Sequence, residues 1–196
     1  MRKSIIAILM TFCLSIMTYA QTPRDRATEL KEQAQSSLNQ KDYIKARYLF
    51  KKAYEAFATR ENYPQAIECG VQANALYVRE NFYKEGFELC RDMDQLIWAG
   101  EQNQKKVFYD LRFLVNKERL QMYTALKNPA QAKTQLNKLE ETANLAKNDS
   151  LTEVLLYTKA NYYYTFNQNT QGDACFRKLI NQYKEKKDYA KVSDCY

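Results

Sequence analysis

Apolar and small residues recur along the chain at steps of three and four, which places them on one stripe of a helix. Tyr43, Ala46, Phe50, Ala53 and Phe57 form one such series. Tyr83, Gly86, Cys90, Met93 and Ile97 repeat its steps. So do Pro129, Ala132, Leu136, Leu139 and Ala143, and then Asn169, Gly172, Phe176, Leu179 and Tyr183. A shorter stripe precedes each series. These are Leu30, Ala34 and Ser37, then Gly70, Asn74 and Tyr77, then Asn116, Leu120 and Tyr123, then Leu156, Ala160 and Tyr163. The middle residue of each short stripe lies 12 positions before the second residue of the long one: 34 to 46, 74 to 86, 120 to 132, 160 to 172. A constant offset of this kind describes antiparallel helix pairs that share one crossing point.

Two helices approach closely only where their side chains are small. Ala34 with Ala46, and Ala160 with Gly172, supply that. Gly86 and Gly172 each cost about 1 kcal/mol in a helix interior relative to alanine, so close packing is the compensating gain. Phe50 and Phe176 fill the groove beside the crossing. The punctuation agrees. Asn39 to Asp42 link the first pair, and Asn62 caps the third helix with Pro64 in its first turn. Gly100 is expected to end the fourth helix. Asn128-Pro129 separates the fifth and sixth helices, Ser150 and Glu153 form a capping box, and Asn167 to Thr170 make the last turn. The expected units are residues 27–60, 63–99, 101–147 and 150–187, with a partial fifth over 188–196 that opens a helix expected to continue. Glu101 to Leu126 is expected to be the longest helix.

The best-defined second helix, Tyr43 to Ala53, reads Tyr-x-x-Ala-x-x-x-Phe-x-x-Ala, after a first helix that carries a small residue. This pattern resembles the tetratricopeptide repeat over residues 27–187. The resemblance implies an all-α fold, a right-handed solenoid of four antiparallel helix pairs plus a partial fifth. Successive units are offset by 40, 46 and 40 residues, against about 34 in the family, so longer helices are expected. The first helices of such arrays line a concave groove. The groove positions here are Lys31 and Gln35, Val71 and Ala75, Lys117 and Gln121, and Tyr157 and Asn161. In Tyr162-Tyr163-Tyr164, Tyr163 belongs to the packing stripe, which leaves Tyr164 to face a partner. Some members of the family clamp a peptide carboxylate with a lattice of lysines and asparagines. Lys31 and Lys117 are present here, but apolar Val71 and Ala75 lie between them. The clamp is incomplete and no ligand type transfers. The resemblance implies a non-enzymatic module that binds a protein or peptide. Exported arrays that look like this form the sensory N-terminal part of membrane-anchored bacterial regulators. The alternative is a stand-alone exported adaptor or envelope assembly factor.

Composition narrows the chemistry. The 196 residues are 45% hydrophobic, but only four are glycine and three proline. All-β folds need many tight turns and are disfavoured. Histidine is absent, which removes the commonest general base and metal ligand together. A Ser-His-Asp triad and an HExxH zinc site are excluded, and the chain has neither a glycine-rich phosphate loop nor a Cys-x-x-Cys. Asp92 with Asp94, and Glu140 with Glu141, read as solvated helix surface rather than acid–base pairs. No enzyme activity, metal or cofactor is expected.

Arg2 and Lys3 precede an apolar run from Ile5 to Met17 and small residues at Thr18 and Ala20. This reads as a signal peptide over residues 1–20, cleaved after Ala20 and followed by an extension over 21–26. The expected location is the periplasm or cell envelope. Net charge is +7 and falls to +5 without Arg2 and Lys3. The lysines are scattered, as at Lys51-Lys52 and Lys105-Lys106, so no nucleic-acid partner is expected. Membrane association would come through an uncleaved leader or sequence beyond residue 196. Disulfides can persist outside the cytoplasm. Cys69 with Cys90, and Cys175 with Cys195, fall on neighbouring helices, so pairing and buried thiols are both open.

Overall fold

The computed structural model describes residues 25–193 and 195. The leader expected over 1–20 and the first part of the extension lie outside the described residues. The described chain runs through α1 (Arg26–Asn39), α2 (Tyr43–Thr59), α3 (Tyr63–Arg79), α4 (Tyr83–Gln104), α5 (Tyr109–Ala125), α6 (Pro129–Ala146), α7 (Asp149–Thr165), α8 (Asn169–Glu185) and the short α9 (Tyr189–Ser193). These helices pack in adjacent pairs, α1 with α2 through α7 with α8, and α9 opens a fifth. The fold is an all-α solenoid. First helices of neighbouring pairs also meet, α3 against α5 and α5 against α7.

Four identical turns set the crossing geometry. Lys41, Asn81, Lys127 and Asn167 take left-handed backbone conformations, with φ of 62°, 61°, 52° and 58°. In each turn that residue's amide donates to the carbonyl three residues back. The following amide donates to the carbonyl five back, as in Lys41 N to Leu38 O and Asp42 N to Ser37 O, both 2.9 Å. This is the Schellman arrangement, made here without glycine. The residue that closes one helix therefore stands one position before the residue that opens the next. Asp42 and Asn128 show the economy of this turn, since their side chains also accept from Lys45 N and Gln131 N. A crossing residue seven positions before the left-handed residue then faces one five positions after it. That is the physical origin of the offset of 12.

The repeat of 40 from α2 to α4 is two 17-residue helices, α2 and α3, and two three-residue turns; the repeat from α5 to α7 reaches the same total with an 18-residue α6 and a two-residue turn after it. The offset of 46 arises at one joint. α4 has 22 residues and is the longest of the described helices, and α5 begins only at Tyr109. This corrects the expected boundary at residues 100–101 and the expected helix over 101–126. Gly100 is interior to α4. Its place is fixed by close approach, because a Cβ there would lie 2.8 Å from the Phe108 ring and 2.9 Å from the Tyr63 ring. Lys105, at φ 51°, ends the helix instead. Glu101 then closes the joint. Its carboxylate is 7% exposed, accepts the Phe108 amide at 2.9 Å, and forms a two-point pair with Arg112.

The core follows the stripes. Ala46, Phe50, Ala53 and Phe57 of α2 are buried, as are Cys90, Met93 and Ile97 of α4. Ala132, Leu136, Leu139 and Ala143 of α6 repeat this. Each large side chain buried this way contributes about 1.5–3 kcal/mol. Ala34 and Ala160 are fully buried, and Gly86 lies against Asn74, whose Oδ1 would be 3.0 Å from an added Cβ. Asn74 is the polar exception in its stripe because its Nδ2 donates to Glu118 Oε2 at 3.0 Å on the next pair. Gly172 makes its closest approach to Tyr164, not to Ala160: an added Cβ would sit 2.9 Å from the Tyr164 ring. Phe176 is half-buried.

One further expectation is corrected. Asn148, not Ser150, caps α7, accepting from Ser150 N at 3.0 Å. Glu153 makes no capping box, and its carboxylate pairs with Lys186 and Lys191. Neither disulfide is present. Cys69, Cys90 and Cys175 are buried thiols, and Cys195 is half-buried against the cluster that holds Cys175. Burial pushes the Cys69 thiol up to about 11 and the Cys90 thiol up to about 12, so neither supplies a thiolate at neutral pH.

The glycines give a direct contrast. Gly100→Ala should be destabilising, since overpacking two rigid rings costs roughly 1–3 kcal/mol against a helix-propensity gain of about 1 kcal/mol. At Gly70 the contact under 3 Å is the flexible Met93 Sδ at 2.6 Å, with the Tyr54 ring farther off at 3.2 Å, so Gly70→Ala should cost less than Gly100→Ala. Urea unfolding of both variants checks this, and equal effects would refute the close-approach account. The Glu101 joint predicts a pH effect as well. The Arg112 guanidinium holds the Glu101 carboxyl below its usual range. Its stabilisation is therefore present above about pH 4.3 and lost as pH falls through the lower folded-state value. Glu101→Gln should be less stable at pH 7 and should show a shallower acid limb in thermal melts between about pH 5 and 2.

Candidate functional site

The groove residues read from the sequence separate into two groups. In the first pair, Lys31 is committed to its neighbour helix. Its Nζ donates to Gln65 Oε1 at 2.8 Å and pairs with Glu68 Oε2 at 2.7 Å, both on α3. Gln35 is exposed, and its Nε2 donates to Asn39 Oδ1 at 3.1 Å on the same helix. Val71 and Ala75 of α3 lie between this pair and the rest of the array. This end of the face is neutralised by its own side chains.

Lys117, Gln121, Tyr157 and Asn161 come together. They line one cleft of about 430 Å³ between α5 and α7. Leu120 and Tyr162 form part of its apolar floor, and Val154 and Tyr157 stand exposed at its wall, the latter 53% exposed. Gln121 and Asn161 are exposed, and no described residue bonds either side-chain amide. The cleft lining includes two cations, Lys117 and Lys127, and no carboxylate. Thr124 also lines it, with a buried hydroxyl that has no partner among the described residues.

Lys117 has a second duty. Its Nζ lies 3.2 Å from Glu118 Oε1, and the Glu118 side chain is 1% exposed. Asn74 holds the other oxygen. Removing Lys117 would leave a buried carboxylate short of its counter-charge, which is costly. Lys117 is therefore a structural residue as well as a lining one. Tyr157 stands edge-on to Phe176, ring centroids 5.9 Å apart, which fixes the orientation of its ring.

Tyr164 does not join the cleft. Its ring stacks on Phe176 at 6.0 Å, covers Gly172, and its hydroxyl donates to Asp173 Oδ1. It packs α7 onto α8. Thr124, Lys127 and Val154 belong to the cleft and were not singled out in the sequence. Continuing the helical phase one turn beyond Gln121 reaches Thr124, and one turn before Tyr157 reaches Val154, so the periodicity already contained those two, whereas Lys127 lies in the turn after α5.

No group of three or more Cys, Asp or Glu side chains among the described residues could hold a metal ion. No described helix is long and apolar enough to cross a membrane. What fold and cleft define together is a helical repeat array with one mixed polar and aromatic cleft on its first-helix face. No family model and no curated protein matches the chain.

Proposed function

We propose that this chain is a non-enzymatic protein- or peptide-binding module of the tetratricopeptide kind. The observation that carries this is the α5–α7 cleft, where Lys117, Gln121 and Asn161 converge beside exposed Tyr157 with no acidic side chain in the lining. Uncommitted amides of Gln121 and Asn161 suit the backbone of an extended segment. Tyr157, Val154 and Leu120 suit an apolar side chain, and the lysines suit a nearby carboxylate. The ligand class is an extended peptide that carries an apolar residue next to an acidic one.

The proposed location is the periplasm or envelope, on the strength of the leader-like pattern in residues 1–20. The proposed role is the sensory N-terminal part of a membrane-anchored signalling protein, which rests on family resemblance. A stand-alone exported adaptor or assembly factor is the alternative. N-terminal sequencing of the protein from an envelope fraction tests the export step: Gln21 is the expected first residue, and an intact Met1 would overturn it.

Panning a displayed library of random peptides against the protein tests the cleft. Enriched sequences should combine an apolar and an acidic residue. Tyr157→Ala should weaken the best peptide about tenfold or more, as loss of an interfacial anchor does, while stability changes by about 1 kcal/mol or less. Gln121→Ala should weaken binding by a smaller factor with no change in melting temperature. No enrichment, or enrichment indifferent to both substitutions, would refute the proposal.

A further inference from the structure

α5 presents a different face to a second cleft, of about 460 Å³, bounded by α4 and α6. Its volume falls within the range of small-ligand sites, roughly 300–1,000 Å³. The chain has a single tryptophan, and it stands here: Trp98 is 62% exposed at the wall, opposite Leu145 at 49%. The floor and rim are polar. Asn116 Nδ2 donates to Thr142 Oγ1 at 3.3 Å, which leaves its carbonyl oxygen uncommitted.

The lining carries three cations and two carboxylates, and Glu101, buried just outside it, brings the charge around the cleft into balance. Arg112 is matched by Glu101, and Arg119 by Asp94. Lys138 and Glu141 stand one turn apart on α6 with opposite signs, and no described residue pairs with either. A charged ligand would compete with pairs already made. A wholly apolar ligand would desolvate the polar floor without replacing its hydrogen bonds, at a cost per group of about 1–3 kcal/mol. Donors and acceptors nevertheless remain in excess. A guanidinium has five N–H groups and a carboxylate about four acceptor sites, more than these pairs use.

We propose that this cleft binds a neutral oligosaccharide, with one pyranose ring stacked on the Trp98 indole. Each sugar hydroxyl is both donor and acceptor, which matches a cleft rich in both and neutral overall. The C–H face of a pyranose carries slight positive charge and is apolar. It meets the negative face of the indole favourably. Arg112, Asp94, Asn116 and Glu141 supply planar hydrogen-bonding groups around that stack. The site lies away from the α5–α7 cleft and does not depend on the peptide-binding reading.

Because Trp98 is the only tryptophan, its fluorescence reports the site directly. The full chain is titrated with maltoheptaose, cellopentaose, chitopentaose and mannopentaose, each to about 10 mM, a range that covers millimolar sites. The expected result is a saturable emission change with at least one of them. Calorimetry of Trp98→Ala should show affinity for that sugar reduced about tenfold or more. Glu141→Gln, at an exposed and unpaired position, should reduce it severalfold with an unchanged melting temperature. No emission change with any of the four sugars would overturn the proposal. So would equal affinity in Trp98→Ala, or an emission change produced by the selected peptides and by none of the sugars.

Discussion

The array depends on reversing the chain in three residues without losing the helix on either side. A left-handed residue at Lys41, Asn81, Lys127 and Asn167 does this in every pair. Because the reversal is always the same length, the contact between the two helices falls at a fixed distance from it. Small residues are then required at fixed places, and Ala34, Ala46, Gly86, Ala132, Ala160 and Gly172 occupy them. The chain uses its glycines unexpectedly. None of the four has positive φ. They sit in helices where rings, thioethers or an amide press against the backbone, while lysine, asparagine and glutamate take the strained turn positions. A non-glycine residue there costs about 1 kcal/mol or more, which the two turn hydrogen bonds and the packing they allow must offset.

This explains what could be read from the residues alone. The crossing points were legible because close approach admits few residue types, and helical phase carried the reading from Lys117 to Gln121 and from Tyr157 to Asn161. Gly100 was not legible. A glycine near the end of a helical stripe suits a C-terminal cap and a tight contact equally well, and only the positions of Phe108 and Tyr63 decide between them. Lys105 gave no signal at all, since nothing about a lysine announces a left-handed backbone. Lys31 and Tyr164 were misleading for a related reason. The partners that occupy Lys31 lie 34 and 37 residues away on α3, and Tyr164 is held by the missing side chain at Gly172.

The third and fourth pairs follow one another at 40 residues and leave the α5–α7 cleft between them. The joint between the second and third pairs breaks this rhythm with a longer α4 and a wider connection to α5. Val115 and Met122 share a core with Met93 and Ile97 across it, and polar contacts add to that packing: Glu101 with Arg112, Arg119 with Asp94 and the Cys90 carbonyl, and Asn74 with Glu118. Polar contacts have definite lengths and directions, so they fix a geometry that close apolar packing does not require. They also leave hydrogen-bonding capacity at the surface.

α5 is where these consequences meet. Consecutive residues of one turn serve three purposes: Lys117 lines the first-helix cleft, Glu118 is buried against Asn74, and Arg119 lines the Trp98 cleft. A helix with a cleft against each of two opposite faces must be anchored between them. Buried Phe113, Val115, Leu120 and Met122 supply part of that anchoring, and the Glu118 contacts hold the remainder by charge and hydrogen bonding. The buried carboxylate thus stands where the array departs from its repeat and its two clefts lie back to back. Its position is set by residues from both pairs, which ties the shape of each cleft to the same joint.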